Sequence, residues 1–293
     1  MKLLSCLLLI FFLYSGNARA DYDHGMRYVF VASAAGKSVA IIDLHHQRLA
    51  ETIPLEQTPG NIAASDRLDT LIIAYPETRQ LGLMDLSSSG LKQSYYSLGL
   101  TPDSIKLDPA GEKLAVYDQG LAVLEIHHLK QRELMVRIEH VNSSEPFTFN
   151  RDGQYIFWVD AVDGQLQRSD LQGNAKSIKL TESGTGLSAM TRSVDGSMGF
   201  VSDTLAGKVF VINLRSMSLL KTVAVGQGSR RPWGTADGQA MLIPNRDSGT
   251  ITAISTFTLD PLYTIEAIAS PMAINTGWLD TTAAVMSDTG DVT

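Results

Sequence analysis

Residues 241–259 read MLIPNRDSGTITAISTFTL, from Met241 to Leu259. A short apolar run, Met241 to Pro244, meets a polar loop, Asn245 to Gly249. A second run, Thr250 to Ser255, then alternates polar with apolar side chains. One turn later comes a third apolar run, Pro261 to Ile265. Side chains alternate between the two faces of a strand, so short runs of this kind, set apart by Gly, Asn and Asp clusters, predict antiparallel strands.

The unit recurs along the chain. It begins at Tyr28, Leu71, Leu114, Tyr155, Gly199, Met241 and Ala283, at intervals of 43, 43, 41, 44, 42 and 42 residues. The third copy reads as shortened, its second strand running from Leu121 to Glu125. Between copies lie a Pro or Gly turn, a short apolar strand and an Asp-Gly-like turn, as in PDSIKLDPAG from Pro102 to Gly111. Each period therefore carries four strands, and about 40–45 residues per four-stranded unit is the β-propeller spacing. No segment beyond the N-terminal apolar run sustains the i, i+3, i+4, i+7 pattern that a helical solenoid needs. The expected fold is all-β: a propeller of four-stranded antiparallel blades, seven in number, the last incomplete. The unit opening at Ala283 stops at Thr293 and reads as truncated. The alternative is a ring closed imperfectly by six full blades and a partial one.

The repeats resemble the YVTN repeat, a seven-bladed propeller family of secreted bacterial and archaeal proteins. The resemblance rests on Tyr28-Val29-Phe30-Val31-Ala32 with Val39-Ala40-Ile41-Ile42-Asp43. Closer matches are Val209-Phe210-Val211-Ile212-Asn213 with Thr222-Val223-Ala224-Val225-Gly226, and Ile243-Pro244-Asn245 with Ile251-Thr252-Ala253-Ile254. The second and third copies are degenerate. The resemblance implies a fold and leaves the chemistry open, because the wider group holds ligand binders, scaffolds and the propeller subunits of quinoprotein amine dehydrogenases.

Residues 1–20 read as a secretory signal peptide. Lys2 supplies a basic start, Leu3 to Tyr14 is apolar but too short for a typical membrane span, and Ala18-Arg19-Ala20 is a small-x-small cleavage site. Cleavage after Ala20 removes Cys6, the single cysteine, and leaves residues 21–293 as one propeller domain without disulfide or thiolate. Export without disulfides points to a periplasmic or secreted protein. The chain carries 24 basic and 31 acidic residues; loss of Lys2 and Arg19 leaves 22 against 31, a net of −9. That acidity, with no basic run, argues against a nucleic-acid partner, and no later stretch is apolar enough to span a membrane.

Histidines offer little metal chemistry. His45-His46 and His127-His128 both follow the acidic end of a second strand, so they read as solvated turn residues in equivalent places, and neighbouring side chains on a strand point apart. Asp160 and Asp163 flank a connecting turn, where Asp normally caps its own backbone. Trp158 and Trp278 read as core.

The candidate contact group is a loop, Gly226 to Trp233, reading GQGSRRPW. The propeller resemblance implies that this loop and the strand-connecting loops emerge together around a central channel. Arg230, Arg231 and Trp233 are then joined by Asn245 and Arg246 of the next loop, with Asp203 close by. Three guanidinium groups beside an indole can hold a carboxylate or a phosphate, or stack on an aromatic group. Asp203 and Asp247 can equally neutralise them.

The expected function is therefore a non-enzymatic exported scaffold that binds a small anionic ligand or a periplasmic protein, with no catalytic residues, no metal and no cofactor of its own. The alternatives are a propeller subunit of a quinoprotein amine dehydrogenase-type redox complex, lacking any haem-attachment motif, and a periplasmic metal-handling protein that uses the histidines.

Overall fold

The computed structural model describes residues 28–87, 92–143, 147–182, 186–276 and 282–293. The signal peptide and Trp278 lie outside them. The chain divides into two compact units, Met1–His140 and Val141–Thr293.

The first unit holds three antiparallel sheets, each pairing neighbours in chain order. One has three strands: β1 (Tyr28–Ser33), β2 (Ser38–Asp43) and β3 (Arg48–Pro54). The next has four: β4 (Ile62–Ser65), β5 (Thr70–Tyr75), β6 (Gln80–Asp85) and β7 (Gln93–Ser97). The third comprises β8 (Ser104–Leu107), β9 (Lys113–Asp118), β10 (Val123–His128) and β11 (Glu133–Ile138).

The second unit continues with three four-stranded sheets and a pair. The first runs β12 (Thr148–Phe149), β13 (Tyr155–Asp160), β14 (Gln165–Asp170) and β15 (Ala175–Lys179). The second runs β16 (Thr191–Arg192), β17 (Met198–Asp203), β18 (Lys208–Asn213) and β19 (Ser218–Ala224). In the third are β20 (Trp233–Gly234), β21 (Ala240–Asn245), β22 (Thr250–Ser255) and β23 (Pro261–Glu266), before the pair β24 (Pro271–Thr276) and β25 (Ala283–Ser287). Among the described residues no helix is long and apolar enough to cross a membrane.

One hairpin is repeated with fixed dimensions. From β1–β2 through β21–β22, a six-residue strand, a four-residue loop and another six-residue strand recur six times. The first of these strands starts at 28, 70, 113, 155, 198 and 240, and β25 starts at 283, so the interval alternates between 42 and 43. The last residue of each loop has positive φ. It is Lys37, Arg79 and Ala122 in the first unit, and Gly164, Gly207 and Gly249 in the second.

The hydrophobic cores lie between adjacent sheets. On β5, Leu71 and Ile73 pack with Val39 and Ile41 of the preceding sheet. Ile72 and Ala74 point the other way, to Ile105, Leu114 and Val116 of the following one. A strand buried on both faces must be apolar throughout, which is why the sequence LIIA lacks alternation. Each buried leucine or isoleucine of this strand contributes about 1.5–3 kcal/mol by leaving water. In the second unit Phe157 and Leu166 meet Val201, Phe210 and Ile212 in the same manner. Trp158 is buried, as the sequence suggests, and its indole N–H has no partner among the described residues.

Two expectations fail in the third sheet. The hairpin there is not shortened: its second long strand is Val123–His128, displaced from Leu121–Glu125, with Leu121 exposed in the loop. His127 and His128 therefore belong to a strand rather than a solvated turn. His127 is 3 % exposed. Its Nε2 lies 2.8 Å from Glu125 Oε2 and its Nδ1 2.8 Å from the Tyr96 hydroxyl. Arg137 donates to the other Glu125 oxygen at 2.6 Å. Burial is the larger influence on His127 and lowers its pKa below the usual imidazole value, with Glu125 opposing. The neutral ring donates from Nε2 to the carboxylate and accepts the phenolic proton at Nδ1. Both ring nitrogens are thereby occupied. His45 and His46 do sit exposed in a turn, where Asp43 Oδ1 accepts both of their backbone N–H groups.

Candidate functional site

The Gly226–Trp233 loop runs alongside the end of β21 and the loop that follows it. Arg230 N donates to Pro244 O at 2.7 Å, Arg246 N to Gly228 O at 3.1 Å and Asp247 N to Gln227 O at 3.2 Å. Ser229 and Asn245 form an antiparallel bridge. Gly228 permits this approach: its φ is +69°, and a Cβ there would stand 2.6 Å from Asp247 Cγ. On its other side the loop leans on the preceding sheet, where Ser202 Oγ donates to Arg230 O and Thr204 Oγ1 to Ser229 O. The Arg230 backbone is therefore fixed through both its N–H and its C=O, and Arg231 follows it directly.

Their side chains differ sharply from those of the other expected contacts. Arg246 is neutralised: NH2 lies 2.8 Å from Asp288 Oδ2 and NH1 3.2 Å from Asp247 Oδ1. Asp203 does not meet the arginines. It accepts from Ala206 N and faces Lys208 Nζ at 3.6 Å. Asn245 is wholly buried, its Nδ2 donating to Thr250 and Thr252 hydroxyls, while Oδ1 has no partner among the described residues. Trp233 donates to Thr276 Oγ1 at 3.3 Å and packs against Leu242 and Ile251. These four side chains hold the local architecture together.

Arg230 and Arg231 instead line a pocket of about 170 Å³ with Gly186, Leu187, Ser188 and Thr204. Arg231 Nε donates to Thr191 Oγ1 at 3.2 Å. The Arg230 side chain has neither hydrogen bond nor carboxylate among the described residues, and its Nε is buried without a partner. A buried guanidinium nitrogen without an acceptor costs free energy. Two cations, with no carboxylate among the described lining residues, suit an oxyanion in a pocket of this size.

Ser188 and Thr204 were not singled out from the sequence, although a signal existed. Ser188 stands 42 residues before Arg230 and is its repeat equivalent: Ser188 N donates to Ser202 O as Arg230 N does to Pro244 O. Laying the repeats on one another places Ser188 beside Arg230.

No family model matches the chain, and no curated protein matches it. Solved structures do. Hydrazine synthase of Kuenenia stuttgartiensis is similar over 91 % of this chain and 91 % of its own, with 12 % identity and a TM-score of 0.62. Dihydro-heme d1 dehydrogenase NirN, solved in complex with DHE, is similar over 84 % of this chain with 14 % identity and a TM-score of 0.69; the match spans 56 % of that protein. Both are β-propeller proteins. At such identity the likeness establishes the fold, and the fold here is the β-propeller of four-stranded antiparallel sheets.

Proposed function

We propose that this protein is an exported, non-enzymatic β-propeller of the YVTN-repeat type that binds a small anionic ligand at the Arg230–Arg231 pocket. The observation that carries the reading is the guanidinium of Arg230, without a carboxylate among the described residues, beside Arg231 at the wall of one pocket. The signal-like N-terminus supports a periplasmic or secreted site of action. Titration calorimetry with inorganic phosphate and with succinate tests it. Binding to the wild type that falls about tenfold or more in Arg230→Gln, and survives in Arg246→Gln, is the expected result. Equal affinity in all three proteins would sink the assignment.

A second reading has its own support. Both structural neighbours bear enzyme names, a synthase and a dehydrogenase, so this chain can serve as the propeller part of a redox assembly such as the quinoprotein amine dehydrogenase type. That reading requires a redox subunit to co-elute with the native protein. A metal-handling role loses one candidate ligand, because both nitrogens of His127 are occupied.

A further inference from the structure

The first unit contains a larger cavity with no part in the pocket above. About 650 Å³ opens between the sheet β4–β7 and the sheet β8–β11, near the turns that end β6 and β10. Its apolar wall is Leu68, Leu83 and Leu129, all attached to the core between those two sheets. Lys92, Lys130 and Arg132 stand at its polar side. Among the described residues none of the three has a carboxylate partner. Arg132 is held instead by neutral acceptors, donating to Ser94 Oγ at 2.7 Å and Tyr95 O at 3.4 Å. Among the described residues Asp85 is the single carboxylate lining the cavity, and it accepts from Ser87. The cleft thus carries a net charge of +2 on a chain whose formal charge is −7.

The repeat shows why this place is open. Adding 85 to each number gives the equivalent residues between the first two sheets of the second unit. Leu83 becomes Arg168, Thr70 becomes Tyr155 and Arg132 becomes Met217. There Arg168 NH1 donates across the gap to Leu214 O at 3.0 Å and Arg215 O at 3.1 Å. Its guanidinium carbon lies 4.5 Å from the Tyr155 ring centroid, and Met217 is buried in the core. The next gap is closed by Met198, Val211 and Leu259. In the first unit Thr70 and Leu83 are too short to fill the same space.

We propose that this cleft is a second ligand site, selective for an anion with an aliphatic body. The leucines receive the chain and the three cations receive its charged head. The volume falls within the ~300–1,000 Å³ typical of small-molecule sites. Charge complementarity selects against a neutral or cationic ligand of the same length.

Titration calorimetry on the full chain with decanoate, decanol and decyltrimethylammonium tests the proposal. Decanoate alone should bind. Lys130→Glu/Arg132→Glu should weaken it by about tenfold or more, and Arg230→Gln should leave it unchanged, which separates this site from the anion pocket. Should the double reversal fail to fold, Lys130→Gln/Arg132→Gln provides the milder loss of charge, and Leu83→Arg, which copies the natural plug, should also abolish binding. No decanoate binding, equal binding of all three amphiphiles, or a folded double variant that binds like the wild type would each overturn it. Sedimentation with phosphatidylglycerol vesicles in the absence of decanoate binding would overturn it too, in favour of a membrane contact.

Discussion

The two units build the same hairpin from different residues. Each four-residue loop in the second unit closes on glycine, at Gly164, Gly207 and Gly249, where positive φ is free of strain. In the first unit the same turn closes on Lys37, Arg79 and Ala122, at φ of 41°, 53° and 53°. An L-residue there bears roughly 1–2 kcal/mol of steric strain, so in the first unit the surrounding sheet imposes a turn that the local sequence resists. The gaps between sheets differ in the same way. Arg168 and Tyr155 fill one, while Leu83 and Thr70 leave the other hollow. The fold specifies a backbone, and each unit meets it by its own means.

That contrast can be broken or sharpened by mutation. Arg168→Leu, which makes the second unit resemble the first, should cost about 2 kcal/mol by removing two charge-assisted bonds and a ring contact, read from chemical unfolding of the full chain. A loss below measurement error would show that the plug is incidental. Next in size is Gly207→Ala, expected to cost roughly 1–3 kcal/mol, since its Cβ would lie 2.8 Å from Gln227 Nε2 as well as meeting the φ penalty. Gly249→Ala isolates the second effect, because nothing stands within 4 Å of a Cβ there; about 1 kcal/mol is expected. The opposite change, Ala122→Gly, should stabilise the protein by about 0.5 kcal/mol, and a loss of that size instead would mean that Ala122 is not strained.

The most conditional effect belongs to His127 and appears only in acid. Burial lowers its folded-state pKa beneath the ordinary imidazole value of 6.5, so between the two values the unfolded chain holds a proton that the folded chain resists. Stability from the Tyr96–His127–Glu125 arrangement is full above pH 6.5 and declines as pH falls below it. The melting temperature of His127→Gln should therefore converge on that of wild type upon acidification. A constant gap across the range would contradict the assignment.

The same contrast explains what the sequence could reveal. Repeats closed by glycine announce their own boundaries, and the Met241 unit was legible for that reason. In the third sheet the glycine of the turn stands at Gly120, two places before the closing position Ala122, and the apolar run Leu121-Ala122-Val123 follows it at once, so the sequence pattern starts the strand too early and leaves His127 in the turn. The arginine cluster was visible as composition. Its division was not: Arg246 pairs with Asp288, which is 42 residues away in sequence, whereas Arg230 has no such partner among the described residues. Nor could the leucine-lined cleft be foreseen, since a cavity is a deficit of volume between segments and leaves no motif.

The outermost pairings carry one more consequence. The register slips by one residue at Ile41/Ile42, Ile126/His127, Val211/Ile212 and Ala253/Ile254, in each case where the last strand of a sheet joins its neighbour. A bulge bends and twists the strand beside it. On β23, where Leu262, Tyr263 and Ile265 are about half exposed, a flat edge of that composition would invite another chain to add a strand. The irregularity therefore acts as protection against self-association: it spoils the straight row of donors and acceptors that a fibril would need, at the place where the side chains are least able to discourage one.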